Sequence, residues 1–133
     1  MKSISLLIAG MVFSTWALAA DAAKEKPTQH LKVADVESMA VAKEVFIDTT
    51  AQIRRKKTVG PAEASEIHII TYSLEKSVAY FADNLSGEKQ TLAQEMAVVV
   101  EEIHLASENN RLGELENHLS KYADLVDKFL FDF

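Results

Sequence analysis

The sequence predicts an all-α protein, an antiparallel up-down-up-down four-helix bundle. Three observations predict it. Apolar residues recur at three- and four-residue spacing through four long segments. The two prolines, Pro27 and Pro61, fall outside those segments. No stretch alternates apolar and polar residues with the period of two that a half-buried strand needs.

Residues 1–19 have the pattern of an export signal: Lys2, an apolar run over 4–16, and a small-x-small cleavage sequence, Ala17-Leu18-Ala19. The run is short for the roughly 20 apolar residues of a spanning helix, so the mature protein, starting at Ala20, is expected free of the membrane. Residues 20–33 are polar, carry Pro27 and show no period, and are expected to form a flexible lead-in. The bundle occupies 34–133.

The first helix is expected from Ala34 to about Lys56, with Met39, Ala42, Phe46, Thr49 and Ile53 on its buried face. It closes in Arg54, Arg55, Lys56 and Lys57, charges that complement the negative end of a helix dipole. Gly60 and Pro61 break the chain, and Pro61 suits the first position of the second helix. Ile67, Ile70, Leu74, Val78, Phe81 and Leu85 form that helix's seam. Ser86 is placed to cap a third helix bearing Leu92, Met96, Val99, Ile103 and Ala106. Asn109 and Asn110 end it. The fourth follows Leu112, Leu115, Leu119, Tyr122, Val126, Phe129 and Phe133.

Composition excludes several functions. The 133 residues are 48% hydrophobic and 26% charged, with a net charge of −6; losing Lys2 with the signal makes the mature chain more acidic still. Such a chain is not expected to bind nucleic acid. It contains no cysteine, which rules out disulfides, thiolate metal sites and covalent haem attachment. No nucleophile has a base beside it and no glycine-rich phosphate loop occurs, so no enzyme is predicted.

The residues that carry chemistry lie in two stretches, EIHIITYSLE at 66–75 and EEIHLASE at 101–108. His68, Tyr72 and Glu75 stand at i, i+4 and i+7, in one row along the second helix. Reflecting positions through the turn at Ser86 and Gly87 sets His68 opposite His104 or Leu105, and Tyr72 opposite Glu101, within a helical turn either way. Two imidazoles at one depth on neighbouring helices suit a mononuclear zinc, copper or nickel ion. His68 and His104 are the expected ligands, assisted by Glu101 or Glu108, with Tyr72 and Glu75 behind them. The alternative is a structural polar network that fixes helix register, in an interaction or stress-related protein whose acidic faces meet a protein partner, as monomer or homodimer. A b-type haem between two histidines is an outside alternative. His118 borders the fourth seam near the level of Glu101, where it could complete a site or face solvent. His30 is expected at the far end, near the Ser86 turn.

The signal, the HLK at 30–32 and these two stretches together resemble a family of small exported proteins of Gram-negative bacteria, classed only as a domain of unknown function. Glu66, His68, Thr71, Tyr72, Leu74 and Glu75 match its first motif, E-x-H-x-x-T-Y-x-L-E. Glu101, His104, Ala106, Ser107 and Glu108 match its second, E-x-x-H-x-A-S-E. The resemblance covers residues 29–126 and departs where Val33-Ala34-Asp35 replaces a Gly-x-Pro turn. It implies a helical fold and the periplasm, and no particular activity, substrate or cofactor.

Overall fold

The computed structural model describes residues 25–29 and 31–131. They form four helices: α1 Met39–Arg54, α2 Pro61–Asn84, α3 Gly87–Glu108 and α4 Leu112–Leu130. No strand occurs among the described residues. Successive helices pack side by side, α1 on α2, α2 on α3 and α3 on α4, giving the four-helix bundle that the periodicity predicts. The export signal at 1–19, His30 and Phe133 lie outside the described residues.

Each helix begins where local chemistry can satisfy its first amides. α1 starts at Met39, five residues later than expected, because Ser38 is extended and its hydroxyl accepts the Val41 N–H at 3.3 Å. α2 opens on Gly60 and Pro61, with the Glu63 carboxylate turning back to accept the Gly60 N–H at 3.0 Å. A side chain at Gly60 would bring its Cβ within 2.9 Å of that carboxylate. Ser86 is the extended residue before α3, yet its hydroxyl makes no capping bond. Between α3 and α4, Asn110 takes a left-handed conformation, φ 53°, which asparagine tolerates better than most residues, and the Arg111 N–H donates to the Ala106 carbonyl at 2.8 Å.

The expected seams are the observed core. Ala42, Phe46, Ile67, Leu74, Val78, Phe81, Met96, Ile103, Leu115, Val126 and Phe129 are fully buried. Phe46, Phe81 and Phe129 meet in one aromatic cluster, with centroids 5.2–5.5 Å apart, distances at which offset and edge-on rings attract. α1 and α4 touch through side chains alone, for no Cα pair between them lies within 8 Å. Phe46, Phe129 and Tyr122 fill that gap. At the end of α4, the Lys89 ammonium from α3 donates to the carbonyls of Phe129 and Phe131 and completes bonds the helix cannot make itself.

The Tyr122 hydroxyl bonds Thr50 Oγ1 at 2.7 Å across the α1/α4 gap. Burial pushes the phenol well above its ordinary value of 10.0, against smaller opposing effects of the Thr50 bond and the Arg54 charge. In the unfolded chain the phenol ionises at its ordinary value, whereas the folded one resists. Its contribution to stability is therefore full below about pH 10 and is lost as pH rises from there through the folded value. Tyr122→Phe is expected to cost about 1 kcal/mol near neutrality. The same variant should lose less stability than the wild type between about pH 8 and pH 11, measured by urea unfolding at both.

Candidate functional site

α2 and α3 bring the two motif stretches together. The His68 and His104 ring centroids lie 4.9 Å apart, and the Tyr72 ring meets His104 edge-on at 4.8 Å. Tyr72 also stacks on His68, one turn away on its own helix, at 5.3 Å. Both histidines sit on well-satisfied backbone. The Thr71 hydroxyl donates to the His68 carbonyl at 2.6 Å and the Ser107 hydroxyl to the His104 carbonyl at 2.9 Å. Thr71 and Ser107 are buried, so these back-bonds satisfy hydroxyls that water cannot reach.

The polar atoms of the cluster order themselves through their donors and acceptors. His104 has no exposed surface, and its Nδ1 lies 2.7 Å from Oε1 of Glu75, a carboxylate one quarter exposed. A carboxylate only accepts, so the His104 proton resides on Nδ1. Nε2 of His104 is buried without a hydrogen-bond partner. On the other ring, His68 Nε2 lies 3.1 Å from the Tyr72 hydroxyl, which donates its single proton to the Thr28 carbonyl at 3.2 Å. His68 must then donate from Nε2. The two neighbouring imidazoles therefore carry their protons on opposite nitrogens.

Glu108 accepts the Thr28 N–H at 3.2 Å. Glu101 lines a hollow of about 430 Å³ together with Glu75 and Gln29. Among the described residues, no group of three or more His, Cys, Asp or Glu side chains is arranged to hold a metal ion. Glu75, expected behind the ligands, is the direct partner of His104. His118 is half-buried and lies 3.2 Å from Glu102 instead of joining the cluster.

Sequence reasoning missed Thr28. The lead-in runs over the α2/α3 face, where both backbone groups of Thr28 are held by side chains of those helices. Farther along, Lys76 donates to the Val33 carbonyl and pairs with Asp35. These bonds reach backbone atoms, and a sequence carries little signal for them beyond the preference of Pro27 for extended chain.

Fold and site together define a small helical bundle with a neighbouring histidine pair, His104 fully buried and His68 half-buried, beside the segment 25–29. The chain belongs to a family of unknown function, DUF6746, whose model matches residues 1–130. No curated protein and no solved structure matches it. Among the described residues, no helix is long and apolar enough to cross a membrane.

Proposed function

We propose that this is an exported, non-enzymatic binding protein that holds one transition-metal ion, zinc, copper or nickel, between α2 and α3. One observation carries the reading: His104 is buried, oriented by Glu75 through Nδ1, and left with an unpartnered Nε2. A carboxylate on one imidazole nitrogen is the usual support for a metal on the other, since it fixes the tautomer and raises ligand basicity. The spacing agrees. Two imidazoles sharing a tetrahedral ion about 2.1 Å from each nitrogen hold their centroids roughly 5 Å apart, and here they stand at 4.9 Å. That distance leaves no room for a haem macrocycle between the rings.

His68 is the second ligand. Glu101, from the adjoining hollow, Glu108 or water completes the sphere, with one Glu108 oxygen already accepting the Thr28 N–H. Export to the periplasm rests on the signal pattern at 1–19 and on the resemblance to small exported Gram-negative proteins. A second reading makes the cluster a structural polar network and leaves the acidic outer faces to meet a protein partner. It is favoured by the way the bonds from Thr28 through Tyr72 to His68 close within the chain.

A thermal melt with and without zinc, copper, nickel and haem separates the two. Ion binding predicts a gain of about 2.7 kcal/mol at a hundredfold excess over Kd, abolished in His68→Ala and His104→Ala. The structural network predicts destabilised variants and no response to any ion, which would refute the metal reading.

A further inference from the structure

We propose that residues 25–29 form a polar strap that gates His104, so that a small ion or molecule reaches Nε2 only when the strap lifts. The proposal rests on the metal reading only for the identity of what enters. The strap's position is the first ground. Thr28 sits on the Tyr72 hydroxyl and the Glu108 carboxylate. Gln29 lines two hollows of about 560 and 430 Å³ that share Glu75, the partner of His104, in their walls. His104, met edge-on by the Tyr72 ring that carries the Thr28 bond, is fully enclosed.

The manner of attachment is the second. Glu25, Lys26, Thr28 and Gln29 are exposed and Pro27 is half-buried, so the strap contributes little to the core. Among the described residues its clasps are polar: they include the two Thr28 backbone bonds and the pair between Glu25 and Arg111, which stands at the start of α4, at 3.2 Å. Segments with few buried apolar contacts open locally at low free energy, without unfolding the domain beneath. Lys76, holding Val33 and Asp35, anchors the chain beyond the strap.

A metal-free probe tests the gate. Diethyl pyrocarbonate ethoxyformylates an unprotonated imidazole nitrogen, and peptide mass mapping reads His104 and His68 separately. The double variant Glu25→Ala/Thr28→Pro removes the Arg111 clasp and the N–H given to Glu108, with both changes at exposed positions. His104 modification should accelerate by roughly tenfold, the effect of losing two modest polar contacts, while helicity and the melting midpoint hold. Tyr72→Phe, which frees the Thr28 carbonyl, should accelerate it in the same direction. In Tyr72→Phe, hydrogen exchange at the Thr28 amide, which Glu108 holds, should speed up alongside.

Equal His104 rates in wild type and both variants, or no modification of His104 in any of them, would overturn the gate. The two proposals fail separately. Faster modification without any ion response removes the metal reading and leaves the gate. An ion response with unchanged modification rates does the reverse.

Discussion

Phe81→Ala is expected to destabilise the protein by about 4 kcal/mol, the largest effect of any single substitution considered. Phe81 has no exposed surface and touches both Phe46 and Phe129, at 5.5 and 5.2 Å between centroids. Truncation removes the transfer free energy of the ring and opens a cavity that a three-ring cluster on three helices cannot readily collapse. It also forfeits two aromatic pairs, each contributing about 0.5–1.5 kcal/mol beyond burial. A domain of this size commonly has about 5–15 kcal/mol of stability in all, so the variant should be close to unfolding at physiological temperature. Urea unfolding should show a lower midpoint with an unchanged slope. Phe131→Ala is the control: its side chain is 74% exposed, and the change should stay within about 0.5 kcal/mol.

The next largest effect is expected from Glu75→Leu, at about 2 kcal/mol. The substitution leaves His104 Nδ1 buried without an acceptor, beside an Nε2 that already lacks a donor. The loss stays below that of a fully buried ion pair because the Glu75 carboxylate is one quarter exposed. The magnitude alone does not separate a lost bond from lost packing. A double-mutant cycle does. His104→Leu removes the stranded group, so the double variant Glu75→Leu/His104→Leu should be less destabilised than the sum of the singles, with a coupling of about 1–2 kcal/mol. Additive single effects would mean that the 2.7 Å contact contributes nothing specific.

The helices were legible because bundle helices repeat, and each apolar position repeats the evidence of the last. Reflection through the Ser86 turn brought His68 opposite His104 for the same reason: α2 and α3 run without a break on either side of it. Rotation about the helix axes was not legible. Reflection placed Tyr72 opposite Glu101 only to within a helical turn; the ring packs on His104, one turn along, its hydroxyl reaches Thr28, and Glu75 takes His104 Nδ1. A shift of that kind depends on how side chains of both helices interlock, and no spacing within one helix records it. The start of α1 at Met39 and the course of residues 25–29 were hidden for another reason. Both are set by individual capping and backbone bonds, from Ser38 and to Thr28, in stretches without a period.

The central claim is that Glu75 holds the His104 proton on Nδ1 and leaves Nε2 as a bare, buried ligand atom. Long-range proton–nitrogen correlation NMR on uniformly ¹⁵N-labelled protein reads the state of each ring nitrogen directly. The account predicts a protonated Nδ1 and an unprotonated Nε2 at His104, with the Nε2 resonance alone on that ring moving strongly when zinc is added. A proton on Nε2, or an Nε2 resonance indifferent to zinc, copper and nickel alike, would contradict it.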